Sequence, residues 1–99
     1  MKKALVIGSL NMDMTAKVEN LPKLGETIFS NNFYESCGGK GANQAVAISK
    51  LGMQTEMVGM VGNDGPGNRL IENLKKYNVK ADNIIKSSEL TGRAIILVD

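Results

Sequence analysis

The stretch Cys37-Gly38-Gly39-Lys40-Gly41-Ala42-Asn43-Gln44-Ala45-Val46-Ala47-Ile48-Ser49-Lys50-Leu51-Gly52 constrains this chain more than any other. Three glycines in four residues, Gly38, Gly39 and Gly41, remove side chains and permit positive φ, so the backbone can come close to whatever lies opposite. Residues 42–51 are rich in helix formers and free of proline, and Gly52 stands where a C-terminal cap belongs. The pattern predicts a glycine-rich loop running directly into a helix. The first N–H groups of a helix lack partners within it. Such a loop can therefore present donors to a ligand, with Lys40 and Asn43 adding a cation and an amide. The same glycines can equally serve only to make a tight turn, and the residues of the loop leave both readings open.

Ala4-Leu5-Val6-Ile7, closed by Gly8-Ser9, is a continuous apolar run, the pattern of a strand buried on both faces of a parallel sheet. It is too short for the apolar region of a signal peptide, despite Lys2 and Lys3 before it. Asn11 and Asp13 follow, two residues apart. In extended backbone they project to the same side, just past the carboxyl end of the first strand, where open α/β sheets bind ligands. A role as simple turn formers suits them equally well. Residues 14–18 and 26–34 read as two strands around the Leu21-Pro22-Lys23-Leu24-Gly25 turn. They form a β-ribbon inserted ahead of the helix, placed to act as a lid. Residues 55–62 read as a second core strand and 63–68 as a loop with helix-start chemistry. Residues 69–77 make an amphipathic helix, 83–86 a short strand and 91–98 a last one. Strands alternating with helices argue for one α/β domain over residues 1–99 with a mainly parallel sheet.

Charge and composition exclude several functions. The net charge is +2, from 12 basic and 10 acidic residues mixed along the chain, with no basic block and few aromatics, so the footprint of a nucleic-acid binder is missing. No apolar run is long enough to span a membrane. The single cysteine, Cys37, cannot form an internal disulfide and fits a reducing, cytoplasmic setting. With no histidine, a histidine base, a His-ligated zinc and a Cys–His nucleophile pair are all ruled out. Beside a helix start, Cys37 is either a thiol of lowered pKa or a small, half-buried side chain. The glycine loop is not a Walker A loop, because Gly41 rather than Ser or Thr follows Lys40. Nor is it a dinucleotide fingerprint, because Gln44 stands where the third glycine belongs.

Five segments together resemble the ribokinase-like carbohydrate kinases, the PfkB family. Gly38-Gly39-Lys40-Gly41-Ala42-Asn43-Gln44-Ala45-Val46-Ala47, closed by Leu51-Gly52, is similar to the family's first signature. Gly8-Ser9-Leu10-Asn11-Met12-Asp13 resembles its strand-one motif, and Pro22-Lys23-Leu24-Gly25-Glu26-Thr27 its approach to the lid. Val61-Gly62-Asn63-Asp64-Gly65-Pro66-Gly67 resembles its Gly-x-Asp-x-x-Gly loop, and Thr91-Gly92-Arg93-Ala94 a lid strand. The resemblance covers essentially the whole chain, in the family's order.

It implies the amino-terminal portion of a three-layer α/β fold with a mainly parallel sheet and an inserted β lid, approximately residues 14–36 and 91–98. Residues matching Asn11, Asp13, Gly39, Lys40 and Asn43 would bond sugar hydroxyls, within a loop that includes Gly38 and Gly41. The implied parent activity is ATP-dependent phosphorylation of D-ribose to ribose 5-phosphate, with ATP, Mg2+ and a monovalent cation (K+), and with the lid strands supplying a homo-oligomer contact. The family's second signature, Asp-Thr-x-Gly-Ala-Gly-Asp, carries the base and the anion hole and does not occur in these residues. The expectation is therefore a sugar-facing portion that is inactive alone, with an open sheet edge that favours association. Another sugar or nucleoside specificity within the family, and a non-catalytic sugar-binding or interaction module, are the alternatives.

Overall fold

Two sheets share the residues described, 2–99, in a computed structural model of the chain. The element order is β1 (Lys3–Ile7), β2 (Asn11–Lys17), β3 (Asn32–Gly38), α1 (Lys40–Lys50), β4 (Gln54–Gly62), α2 (Gly65–Lys76), β5 (Val79–Lys80), β6 (Ile84–Ser87) and β7 (Arg93–Val98). In the first sheet β4 lies between β1 and β5, and β6 pairs further along β4. All three pairings are parallel, as the alternation of strands and helices predicts. In the second sheet β2 is central, antiparallel to β3 and parallel to β7. Among the described residues no helix is long and apolar enough to cross a membrane.

Both helices cover the same face of the parallel sheet. Val6, Met57, Val61 and Val79 from its strands meet Ala42 and Ala45 of α1 and Leu70 and Leu74 of α2 in one cluster, which Leu10 and Met12 extend towards the second sheet. Fully burying a residue such as Met57, Leu70 or Leu74 contributes about 1.5–3 kcal/mol. The opposite face of the sheet is bare: Leu5 is 59% and Ile7 75% exposed. The apolar run of β1 was expected to be buried on both sides, but the helices of this chain cover only one. Likewise α1 is fully buried along Gly41, Ala42 and Ala45, with Val46 and Ile48 partly buried against the core, and Leu51, which the apolar stripe includes, lies exposed at its C-cap.

Several boundaries differ from the sequence expectation: β2 begins at Asn11 rather than 14 and α1 at Lys40 rather than 42. β3 runs over Asn32–Gly38 rather than 26–34, because β2 ends at Lys17 and its partner begins at Asn32, leaving Ile28 and the exposed Phe29 without a strand to pair with. The turn between the two strands closes through the Glu26 amide donating to the Lys23 carbonyl, with Gly25 at φ 77°. α2 begins at Gly65, earlier than 69, because Asp64 caps it and Pro66 sits in its first turn. β5 was not anticipated: its two residues follow Asn78, whose positive φ of 62° turns the chain out of α2.

Asp64 does more than cap. Its Oδ1 accepts from the Gly67 amide at 2.9 Å and from the Thr91 hydroxyl at 2.6 Å, and its Oδ2 accepts from the Thr91 amide at 2.9 Å. The Thr91 hydroxyl accepts in turn from the Gly62 amide at 2.8 Å. The Thr91 hydroxyl, the Thr91 and Gly67 amides and the Arg93 guanidinium hold the Asp64 carboxyl down to about 2.

Three substitutions test the stability of this arrangement. A Cβ on Gly41 would stand 2.8 Å from Gly8 Cα and 2.9 Å from Ser9 N, both backbone. Gly41→Ala is expected to lower unfolding stability in urea by about 2–3 kcal/mol. Gly52→Ala, which meets no atom within 4 Å but keeps φ at 96°, costs about 1 kcal/mol. Because Asp64 titrates lower when folded, the stability it contributes is complete above the ordinary carboxylate value of 3.8 and is lost as pH falls towards 2. The urea midpoint of Asp64→Asn should therefore fall less steeply than that of the parent chain between pH 4 and 2.

Candidate functional site

Asn11 and Asp13 leave β2 on one face, because alternate residues of a strand share a face. Met12 between them enters the core at 2% exposure. They are strand residues rather than turn formers, and each is half-buried. Across β2, Gly38 stands opposite Asn11 and Ser36 opposite Asp13 on β3, while Ala94 stands opposite Asp13 on β7. The Gly92 carbonyl, just ahead of β7, accepts from the Met12 amide at 2.9 Å. A methyl group on Gly92 would lie 2.6 Å from Asn11 Oδ1, and one on Gly38 would collide with the Asp13 carboxylate. The carboxamide and the carboxylate thus lie over bare glycine backbone on the two sides of β2.

The loop glycines act mainly on the protein itself. Gly39, the N-cap of α1 at φ 98°, approaches the Ser9 carbonyl so closely that a Cβ would stand 2.5 Å from it. Gly41 is buried against Gly8, and the Ala42 amide donates to the Ser9 carbonyl at 3.1 Å. One of the free helix-start donors expected for a ligand is therefore taken by the β1–β2 connection. Lys40 and Asn43, three residues apart, share the exposed side of the first turn of α1. Among the described residues, the side-chain hydrogen bonds and ion pairs involve none of Asn11, Asp13, Lys40 and Asn43. Chemically the group is one carboxylate acceptor, one ammonium donor and two carboxamides that do both, a set matched to a molecule rich in hydroxyl groups.

Cys37 shows the opposite of an activated thiol. It points to the α2 side of the second sheet, its Sγ 4.0 Å from the Arg69 carbonyl, and burial pushes its pKa up against the smaller opposing pull of the Arg69 guanidinium. Of its two sequence readings, the small, half-buried side chain is the one that holds.

The described residues form neither a metal ligand set nor an open phosphate cradle. Among them no three His, Cys, Asp or Glu side chains gather into a ligand set, and the glycine loop is closed by backbone packing on Gly8 and Ser9 rather than opened as a phosphate cradle. A cleft of about 340 Å³ between α2 and β6, lined by Ile71, Glu72, Lys75 and Ile84 among others, lies away from Asn11 and Asp13. Two features escaped the sequence reading. Gly92 and Ala94 flank the polar pair, and Asp64 ties Thr91 beside them. The signal for Asp64 was present, since an Asp followed by Gly-Pro is a helix N-cap pattern.

Comparison with known proteins matches this arrangement to one family. The model of the pfkB family carbohydrate kinases matches residues 1–99. The chain is 46% identical to the ribokinase of Bacillus subtilis over 83% of its length and 28% of that relative. To the ribokinase of Mus musculus it is 41% identical, over 96% of its length and 30% of that relative. Among solved structures, the ribokinase of Arabidopsis thaliana complexed with ribose and ATP superposes with a TM-score of 0.91 at 37% identity. That match covers 98% of this chain and 32% of the other. The chain thus spans about a third of the length of these relatives. It belongs to the pfkB family of carbohydrate kinases.

Proposed function

We propose that this chain forms the sugar-facing part of an ATP-dependent sugar kinase, with D-ribose as the substrate. The observation that carries the reading is the half-buried polar pair Asn11 and Asp13, side by side on one face of β2 next to Gly92 and Gly38 and, among the described residues, without a side-chain hydrogen-bond or ion-pair partner. Family membership supports the kinase class, and ribokinases at 34–46% identity, one of them solved with ribose and ATP, support the sugar.

In this reading Asp13 accepts from neighbouring sugar hydroxyls, Asn11 and Asn43 accept and donate, and Lys40 donates. Gly38 and Gly39 let the sugar approach the backbone, and Gly41 seats the helix start. A neutral polyol is held by several such bonds at once. Each polar group left unpaired on burial costs about 1–3 kcal/mol, so a sugar with a misplaced hydroxyl is rejected. The sheet of β2, β3 and β7 acts as a lid that excludes water over the sugar, and its exposed strands offer the contact for a second copy. In the longer protein ATP supplies the transferred phosphoryl group. These residues bind and orient the sugar, and the phosphoryl step needs groups that they do not include.

Ribose titrated into the labelled chain should shift the NMR signals of Asn11, Asp13, Gly39 and Asn43, and Asp13→Ala should weaken that binding by about tenfold or more. Stronger, saturable shifts with fructose or adenosine would replace ribose with another substrate. Shifts confined to other surfaces, or absent with all three, would overturn the reading. Incubated with ATP and ribose, the 99 residues should form no ribose phosphate.

A further inference from the structure

We infer that Asp64 is a positioning residue for the sugar-facing strands: it locks Thr91 and thereby fixes Gly92 against Asn11. The inference rests on the sugar-facing role proposed for Asn11 and Asp13. Asp64 itself stands outside that group, at the N-terminus of α2.

The connection can be followed bond by bond. The Asp64 carboxylate accepts from both the hydroxyl and the amide of Thr91, at 2.6 and 2.9 Å. A two-point attachment fixes both the position of Thr91 and the direction in which its backbone leaves. Thr91 is buried at 4% exposure, and its hydroxyl also accepts from the Gly62 amide at the end of β4. The next residue, Gly92, passes so close to Asn11 that a Cβ would stand 2.6 Å from the carboxamide oxygen, and its carbonyl accepts from the Met12 amide at 2.9 Å. Met12 lies between Asn11 and Asp13. The core sheet, the start of α2 and the strand carrying the polar pair therefore meet through one threonine.

Space at this junction is as tightly set as its hydrogen bonds. A Cβ on Gly67 would strike the Gly62 carbonyl and lie 2.9 Å from the Thr91 hydroxyl, and one on Gly62 would lie 2.5 Å from the Thr91 amide. Thr91 has no room to settle elsewhere without moving α2 or β4. The spacing Gly62, Asp64, Gly67 is thus explained by a junction that holds β7 in register, with no ligand required. Arg93 adds a guanidinium 3.9 Å from Asp64 Oδ2.

Asp64→Asn separates capping from positioning. Asparagine keeps one oxygen for the Gly67 amide and the Thr91 hydroxyl, and it is as good an N-cap as aspartate. Its NH2 group then faces the Thr91 amide, donor against donor. Amide hydrogen exchange by NMR should show the Thr91 and Met12 amides of Asp64→Asn exchanging about tenfold faster, with Leu70 and Leu74 in α2 unchanged. Ribose affinity should fall by a similar factor. Thr91→Ser, which keeps hydroxyl and amide, should behave as the parent chain, whereas Thr91→Val should repeat the loss. Parent-like exchange at Met12 in both Asp64→Asn and Thr91→Val would overturn the inference. So would a loss of protection spread evenly over β1, β4 and α2. If the parent chain binds no ribose, the sugar reading fails, while the exchange pattern still decides whether Asp64 positions β2 and β7.

Discussion

Everything in this chain depends on a place where backbone touches backbone without side chains between. The connection from β1 to β2 passes Gly8 and Ser9 directly beneath the start of α1, where Gly39 and Gly41 meet it and the Ala42 amide donates to the Ser9 carbonyl. That contact fixes three things together: the exit of β1 from the parallel sheet, the direction of α1 over that sheet, and the entry of β2 into the second sheet. A side chain at Gly39 or Gly41 would push these elements apart, and β2 would carry Asn11 and Asp13 away with it. The loop that looks like a ligand cradle in sequence is first a hinge point of the fold. In the proposed reading its glycines position the elements, while Lys40 and Asn43 at the start of α1 face the ligand.

The second sheet shows how a strand can present polar groups without losing them to neighbours. Alternation sends Met12 into the core and leaves Asn11 and Asp13 on the other face. Glycine at 38 and 92 and alanine at 94 supply no side-chain partners beside the pair, and Ser36, opposite Asp13, makes no side-chain hydrogen bond to it among the described residues. Glycine loses more conformational freedom on folding than any other residue, so the end of β3 and the approach to β7 give up stability for access. The knot around Asp64 and Thr91 lies at the same end of the sheet and offsets some of that loss with charge-assisted hydrogen bonds.

Much of this was legible in the residues. The helix read over 42–51 with its glycine stop, the strand read over 55–62 and the apolar first strand follow from local pattern and punctuation, each within two residues of the observed ends. The shared side of Asn11 and Asp13 follows from the period of a strand. What was not legible depends on partners far away in sequence. The start of β3 is set by where β2 ends, so the β-favouring Ile28 and Phe29 stay unpaired while Glu35 and Ser36, poor strand formers, are paired. The bare face of β1 depends on which helices exist to cover it, which no property of Leu5 or Ile7 reveals. The backbone role of Gly41 depends on Gly8, thirty-three positions earlier in the chain. Family signatures place both glycines in motifs but do not tell one that meets a ligand from one that meets its own fold.

The account joins these parts into one claim: in this pfkB-family chain, a backbone contact and an aspartate knot hold a polar pair open towards a sugar. Transferred nuclear Overhauser effects from ribose C–H protons to the chain test it most directly. The account predicts cross-peaks to the Gly38 and Gly92 α-protons and the Ala94 methyl group, the atoms that border Asn11 and Asp13. Cross-peaks to the bare sheet face at Leu5 and Ile7, or to the cleft between α2 and β6, would contradict it.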